Sequence, residues 1–346
     1  MATYRAHRGS SLAELLVGLL LGLVAAVVIL KVFADAEGIK RNTVGAAEAQ
    51  QSGAMVTHAL ASELANAGNG LAAAANELGT CPDTGDIRTS LRPIPVLISA
   101  GATAATPDAF VVSYAVANAV AVPMSFAADA PAGAAWRIRS PLGFAVGDRV
   151  AAISLTGQCA ISTITAMSPP DPDGVVAITH TGVPTAYSSA SLLLDLGPRS
   201  GVQRVRYDIA DSTLRSLDLA TAGATPNPLA SNVVHMKAQY GIDGDDDGFL
   251  DTWVPAAAPP WNSTGVLAAP AATLARIKAI RIGLIVRSET YDRAVTGGFN
   301  WVLFDCAATD KARCPGRLTG VLPARWRYRT QEITVPLRNQ IWIGRP

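Results

Sequence analysis

A short acidic segment, GIDGDDDGFLD at residues 241–251, has the residue types and spacing best suited to a chemical role in this chain. Its carboxylates occupy the first, third and fifth positions of a loop, and Gly248 stands at the sixth. Such a loop wraps a hard cation, because the glycine permits a sharp turn and the seventh residue contributes a backbone carbonyl. The predicted ligands of a structural calcium ion are Asp243, Asp245, Asp247, the backbone carbonyl of Phe249, and Asp251 through a direct or water-bridged contact.

The segment differs from an EF-hand, because Val254 stands at the twelfth position, where that motif requires a glutamate. Without an ion, the clustered carboxylates would repel one another by about 1 kcal/mol or more per close pair near a surface. An ion-free acidic turn is the alternative interpretation. We expect Asp246 to point outward, and we expect the loop to hold two strand ends rather than to act in catalysis.

The elements that must position this loop begin with an unusual amino terminus, MATYRAHRGSSLAELLVGLLLGLVAAVVILKVF. A basic leader ends in Gly9, and an apolar run follows over residues 15–30 with one carboxylate, Glu14, at its edge. A secretory signal would place its cleavage site after the apolar run, whereas the small residue here precedes the run. The run is slightly shorter than the ~20 residues that span a bilayer, but apolar neighbours on both sides extend it.

The stretch RGSSLAELLVGLLLG resembles the leader and first helical turns of type IV prepilins. The resemblance implies that a prepilin peptidase cleaves after Gly9 and methylates the new amino terminus, Ser10, where the family commonly has Phe. It also implies that Glu14, the fifth mature residue, pairs with the amino terminus of a neighbouring subunit. In hydrocarbon, a carboxylate and an amine are tolerated when they neutralise one another. An uncleaved signal anchor is the alternative.

The rest of the chain predicts a helix followed by a β-rich body. An apolar residue recurs every fourth position at Val56, Leu60 and Leu64, which predicts one stripe that packs on the body. Gly68 and Gly70 should end the helix. Short apolar runs bounded by Pro, Gly and Asp then predict strands, namely 110–116, 149–155, 160–167, 175–180 and a hairpin that turns at Asp211 and Ser212.

The predicted fold class is α+β and type IV pilin-like, with a long N-terminal helix, membrane-spanning in its first half, packed on a mostly antiparallel β-sheet domain. The predicted divisions are a leader at 1–9, a transmembrane helix at 10–33, an amphipathic continuation at 34–68 and a periplasmic or extracellular body at 69–346. Within the body, the region of about 78–200 resembles no family.

Segments of the carboxy-terminal half resemble PilW-type minor pilins, in this order: RVRYDI, TLRSLDL, NVVHMKAQYGIDGDDDGFLDTWV, IKAIRIGLIVRS and YRTQEITVPLRNQIW. The resemblance implies a non-enzymatic minor pilin that joins the initiating or tip complex of a type IV pilus. Its partners would be other minor pilins, the major pilin and the prepilin peptidase. It would lie in the inner membrane, with its body in the periplasm, before assembly, and in the pilus at the cell surface afterwards.

Other functions remain open at this point. A pseudopilin of a type II secretion system would share the leader, and a tip adhesin or DNA-binding module would use the region of about 78–200. The formal net charge of +1 provides no large basic field for nucleic acid. The arginine-rich carboxy terminus suits contact with DNA or with an acidic face of a partner pilin, or it provides outward-facing charges on an edge strand. No catalytic motif accompanies the four histidines. We expect the strand histidine His235 to be exposed or hydrogen-bonded.

The four cysteines form no CxxC motif and lie in polar or Pro/Gly-containing turns, which favours two disulfides in an oxidising compartment over free thiols. Three pairings are possible for four cysteines. The preferred pairing joins Cys306 to Cys314, which are close in one loop, and Cys81 to Cys159.

Overall fold

The computed structural model describes residues 12–82, 84–115, 122–198, 201–292, 295–307, 309 and 315–341. Gly9, Ser10 and Cys314 lie outside these residues. The helices are α1 (Leu12–Ala65), α2 (Ala75–Gly79), α3 (Ser263–Ala268), α4 (Ala271–Ala275) and α5 (Arg338–Ile341). The strands are β1 (Val96–Ser99), β2 (Ala109–Ala115), β3 (Met124–Ser125), β4 (Trp136–Ile138), β5 (Asp148–Ile153), β6 (Cys159–Met167), β7 (Val176–His180), β8 (Leu192–Pro198), β9 (Val202–Ala210), β10 (Thr213–Asp218), β11 (Asn227–Ser231), β12 (Val233–Ile242), β13 (Thr252–Pro255), β14 (Ile277–Arg287), β15 (Phe299–Leu303), β16 (Leu318–Leu322) and β17 (Tyr328–Pro336).

Helix α1 runs for 54 residues, about 80 Å at ~1.5 Å per residue, and its two parts have different surroundings. Through residue 33 its apolar side chains are exposed, whereas the later part packs across β14 and β17. The predicted stripe is confirmed, because its members are buried: Val56, Leu60 and Leu64. The chain turns away at Gly68 and Gly70, whose φ values of +76° and +70° favour glycine.

The central sheet, with strand order β13-β12-β14-β17, lies against this helix and is antiparallel throughout. Its strands alternate in the direction of their side chains, so Met236, Ala238 and Tyr240 of β12 enter the core, whereas Lys237 and Gln239 face the other side. The Cβ-free surface of Gly53 on α1 accommodates the side chain of Gln331 on β17. Close packing of helix and sheet therefore depends on this small residue.

The side sheet, with strand order β1-β2-β9-β10-β11, covers the same core from another direction. The predicted hairpin is confirmed: β9 and β10 pair, and Asp211 and Ser212 take φ values of 50° and 56°. Positive φ at both central turn residues matches the right-handed twist of the flanking strands. Tyr207 of β9 stacks on Phe110 of β2, with ring centroids 5.2 Å apart, which ties the two strands together.

The outer face of the central sheet lies beneath the β15–β16 hairpin. Arg281 on β14 is held there between two aromatic rings, with its guanidinium carbon 4.7 Å from the Trp253 ring centre and 4.4 Å from that of Phe304. It donates through Nε to the Oε1 of Gln239 at 2.9 Å. Burial lowers the Arg281 pKa to about 10, and the arginine stays charged at neutral pH.

Residues 122–198 form a separate small barrel with strand order β3-β8-β5-β6-β7-β4. The sheet closes on itself, because Phe126 beside β3 forms a bridge with Ile138 of β4. The amide of Ala127 also donates to the carbonyl of Arg137 at 2.6 Å. Trp136, Phe126 and Tyr187 meet inside, with ring centroids 5.8 to 6.2 Å apart. The barrel therefore has a core made of its own residues.

The barrel is inserted between β2 and β9, which are neighbours in the side sheet. On β5, Val150 and Ala152 point into the barrel, whereas Ala151 and Ile153 point outward into a third cluster. That junction cluster also contains Leu71 and Leu78 from the segment that follows α1, with Leu194 and Leu196 of β8. A disulfide between Cys81 and Cys159, with Cα atoms 5.6 Å apart, crosses the junction.

The predicted fold class is confirmed, because a long N-terminal helix packs on antiparallel sheet. Most predicted strands match observed strands closely, including β2, β5, β6 and β7. The expectation of a single sheet in the body was incomplete, since the region of about 78–200 builds the barrel. Strand periodicity is the same in an open sheet and in a closed one, so the pattern could not show closure.

Candidate functional site

The acidic loop connects β12 to β13 at the end of the central sheet that lies near the carboxy terminus of α1. The loop begins where Ile242 pairs with Thr252 across these strands. At the same end, the side chain of Asn339 in α5 donates to the carbonyl of Ala67, just after α1. The loop is therefore at the end of the body farthest from the apolar part of α1.

Three of the predicted ligands come together in this loop. Asp243, Asp245 and Asp247 each offer a carboxylate oxygen, and these oxygens lie within 4.8 Å of one another. Asp243 is fully buried, whereas Asp245 and Asp247 are exposed. The group thus has a buried floor and an open side, through which an ion can enter.

Backbone hydrogen bonds hold the loop in a tight coil. The amide of Phe249 donates to Oδ1 of Asp247 at 2.7 Å, and the amide of Gly248 donates to Oδ2 of Asp243 at 2.9 Å. Gly248 has a φ of +90°, a left-handed value that permits the predicted turn at the sixth position. These bonds arrange the carboxylates before any ligand is bound.

One oxygen in this coil has no partner among the described residues. Oδ1 of Asp243 is buried and accepts no hydrogen bond. Burying a carboxylate oxygen without compensation is costly, and a hard cation in contact with it removes that cost. An all-oxygen donor set with a buried, unpartnered oxygen at its base fits calcium, and the residues present therefore suit the predicted ion.

The other predicted members of the site have different positions. Asp251 is outside the group of three, and its Oδ2 accepts a hydrogen bond from the amide of Gly244 at 2.5 Å, which closes the loop. The side chain of Phe249 is exposed, so its predicted role concerns only its backbone carbonyl. Asp246 points outward, with an oxygen 4.0 Å from Nε of Arg276.

Two basic residues near the loop were missed by the sequence reasoning. Arg276 donates through Nε to the backbone carbonyl of Asp243 at 2.8 Å and also bonds the carbonyl of Gly244. Lys278 places Nζ 3.6 Å from Oδ2 of Asp243. Both follow the loop by about thirty residues in the segment ARIKAI, so only the pairing of β14 with β12 brings them to it.

Helix α1 is the second functional element. Within the part of the chain that the structure describes, it is long and apolar enough to cross a membrane, and no part of its most apolar stretch is buried in the protein. Glu14 lies in its first turn. The predicted processing residues Gly9 and Ser10 fall outside the described residues.

The remaining residues of interest have structural surroundings. His235 is buried beside Trp301, so it is not exposed. It has a hydrogen bond with the backbone of Ala104, as the other alternative expected, whereas its Nε2 has no partner among the described residues. Burial, with the nearby Lys237 charge, lowers the His235 pKa to about 4, and the ring is neutral at physiological pH. Arg327 near the carboxy terminus pairs with Asp292 at 2.9 Å. Cys306 is disulfide-bonded.

Comparison with known proteins found a solved structure and a protein family that resemble this chain. A solved type IV-like pilin, TTHA1219 from Thermus thermophilus, is 13% identical and aligns over 57% of this chain and 85% of its own length, with a TM-score of 0.26. No curated protein matches the chain. Residues 202–339 match the family model of PilW, the type IV pilus-assembly protein W. The predicted resemblance to PilW-type pilus proteins is therefore confirmed over residues 202–339, from β9 to α5.

Proposed function

We propose that this protein is a non-enzymatic minor pilin that takes part in the initiating or tip complex of a type IV pilus. The observation that carries the proposal is the division of α1 into an exposed apolar part and a buried part that is integral to a folded body. A surface of this kind requires a lipid bilayer or the helices of other subunits. The match over residues 202–339 supports a pilus over a secretion system.

In this proposal the apolar part of α1 lies first in a lipid bilayer and later among the helices of other subunits. The prepilin peptidase cleaves after Gly9 and methylates Ser10. The subunit then resides in the inner membrane with its body in the periplasm. Glu14 then pairs with a neighbouring amino terminus when the helix enters the assembly, so that the two opposite charges neutralise one another in hydrocarbon. Other minor pilins and the major pilin are the proposed partners.

We further propose that the acidic loop binds calcium through the group of three carboxylates, the Phe249 carbonyl and Asp251. The ion would hold the ends of β12 and β13 together at the far end of the body. This role is structural and requires no reaction. The buried, unpartnered Oδ1 of Asp243 supports it.

Substitution of Glu14 tests the assembly proposal. We expect Glu14→Ala to abolish piliation and the capture of the other minor pilins on immunoprecipitation, because the amino-terminal charge of the neighbour loses its partner. The matched control is Asp35→Ala, which removes an exposed carboxylate from the same helix beyond the apolar run. A Gly9 variant that blocks cleavage should also abolish piliation. Normal pili and normal capture in the Glu14→Ala and Gly9 variants, as in the control, would contradict the proposal and leave α1 as a membrane anchor.

The barrel supports a second candidate function, that of a tip module that binds a surface or DNA. Its closed core and its insertion between the paired residues Ala115 and Val202 are typical of an added domain. Replacing residues 116–201 by an Asn-Gly turn, together with Cys81→Ser, removes it while preserving the β2–β9 pair. Normal pili with lost adhesion or DNA uptake would favour the binding module, whereas lost pili in a stably folded variant would favour an assembly role for the barrel.

A further inference from the structure

We propose that Lys278 is a built-in counter-ion of the acidic loop, which keeps the loop folded without metal and weakens its affinity for calcium. The inference rests on the proposed calcium site and adds to it the residue that sets its affinity. Lys278 is the second residue of β14, and its neighbour Ile277 pairs with Ile242 at the base of the loop. The lysine therefore enters the site from the sheet, beneath the carboxylates.

The contact between Lys278 and Asp243 is buried on both sides. Nζ lies 3.6 Å from Oδ2, and the side chains are 10% and 1% exposed, respectively. Solvent screening is weak for groups at this depth, so the charges interact more strongly than a surface pair does. Lys278 is thus placed to influence any charge that binds at Asp243.

The two oxygens of Asp243 have different partners. Oδ2 accepts the amide of Gly248 and faces Lys278, whereas Oδ1 has no partner among the described residues. One oxygen is therefore compensated within the protein, and the other remains available to an ion. This division lets Lys278 and calcium act on the same carboxylate together.

Arg276, the other nearby cation, has a different role. Its hydrogen bonds go to the backbone carbonyls of Asp243 and Gly244, and its ion pair is with the outward-pointing Asp246. In the described part of the chain, Lys278 is the basic residue that forms an ion pair with a carboxylate of the group of three. Removing the positive charge of Lys278 should therefore change the affinity of the loop for calcium more than removing the charge of Arg276.

Removal of the Lys278 charge should have two opposite consequences. Without calcium, Asp243 would keep a buried charge with no opposite charge in contact, which destabilises the fold. With calcium, repulsion between two neighbouring cations would disappear, and affinity would rise. The stabilisation by calcium, which grows with the ratio of free ion to dissociation constant, would then become larger.

Calcium titration of the full-length protein in detergent, by isothermal calorimetry, tests the inference. We expect Lys278→Met to lower the Kd by about tenfold or more, since one buried charge at contact distance is removed. The same variant should melt below wild type in chelator and show a larger rise in Tm on addition of calcium. Lys278→Arg retains the charge and should bind within about threefold of wild type. Arg329→Met is the control, because it removes an exposed charge from the end of β17 that lies away from Lys278. It should leave the Kd unchanged.

The outcomes separate the inference from the site on which it rests. If folded wild-type protein shows neither binding heat nor a change in Tm with calcium, the proposed calcium site is wrong. If wild type and Lys278→Met bind with equal Kd and equal shifts in Tm, the site stands and the role of Lys278 is overturned. A Lys278→Met protein that folds only in calcium supports the inference, and titration with a chelator then provides its Kd.

Discussion

The body and the barrel use the same strand periodicity but complete their cores in different ways. In the body, the central sheet is open, and its buried face is covered by α1, whose Leu60 and Leu64 are fully buried. In the barrel, the sheet closes at Phe126 and Ile138 and encloses residues of its own strands. A core that needs a partner element is built into the pilin-like part, whereas a self-contained core is added beside it.

The two regions are also connected differently to the long helix. The exposed apolar part of α1 continues without a break into the part that completes the core of the body. The barrel is joined to this unit through the junction cluster and the disulfide between Cys81 and Cys159. The barrel is thus fastened to the pilin-like part at one junction, whereas α1 is integral to the core of that part.

The largest effect should come from cutting the link between the two regions. The disulfide closes a loop of 78 residues, so the double substitution Cys81→Ser/Cys159→Ser should lower the free energy of unfolding by about 4 kcal/mol. Urea unfolding, followed by hydrogen exchange separately in the body and in the barrel, would measure this loss of stability. We expect the transitions of barrel and body to separate. Coincident transitions at unchanged stability would contradict a stabilising link.

A cavity in the core of the body should destabilise the body more than the barrel. Leu60→Ala removes a fully buried side chain between α1 and the sheets, and we expect a loss of about 3 kcal/mol. Amide protection should fall in the central sheet while β5 and β8 of the barrel retain theirs. Met55→Ala, at an exposed position of the same helix, is the control and should change stability little. Equal loss of protection in the barrel would show that the two cores form one cooperative unit.

The barrel contains a buried carboxylate, Asp195 on β8, that should make its stability depend on pH. Burial, with a further contribution from the charge of Asp148, raises the Asp195 pKa from 3.8 to about 6. The folded state therefore binds this proton more tightly than the unfolded chain, and its contribution to stability declines as pH rises from about 4 to about 6. Stability measured against Asp195→Asn should show this decline.

At pH 7 we expect Asp195→Asn to be more stable than wild type by about 2 kcal/mol. This is less than the full linkage value, because the amide oxygen can keep the hydrogen bond from Gly197 but the amide nitrogen would replace the unpartnered Oδ2 and be buried without an acceptor. Asp129→Asn, at an exposed position of the barrel, is the control. A difference between wild type and Asp195→Asn that does not vary with pH would contradict the assignment.

The smallest loss of stability should come from a substitution on the outer face of the central sheet. Arg281→Lys keeps the charge but loses the planar group between Trp253 and Phe304, and we expect a loss of about 1 kcal/mol. Chemical denaturation of the two proteins would measure it. Because Trp253 follows the acidic loop on β13, the loss should appear first as faster exchange in β13 and near Phe304. A loss confined to the barrel would contradict the assignment.

Local patterns predicted a large part of the fold. The stripe at Val56, Leu60 and Leu64, the turn at Asp211 and Ser212, and the strand pattern of β5 and β6 depend on neighbouring residues in the chain, and the structure contains all of them. The closure of the barrel was not predictable in this way, because it depends on contacts between the two edges of the sheet, including the bridge between Phe126 and Ile138.

The acidic loop likewise combines features that follow from local sequence with features that depend on distant residues. The order of the aspartates and Gly248 is local, so the meeting of three carboxylates in a coil could be predicted from the sequence, as could the apolar helix near Glu14. The burial of Asp243 with one oxygen unpartnered among the described residues, and the contact of Lys278 with the other oxygen, could not be predicted in this way. Burial and ion pairing at this site depend on the register of β12 with β14, which distant parts of the chain establish together.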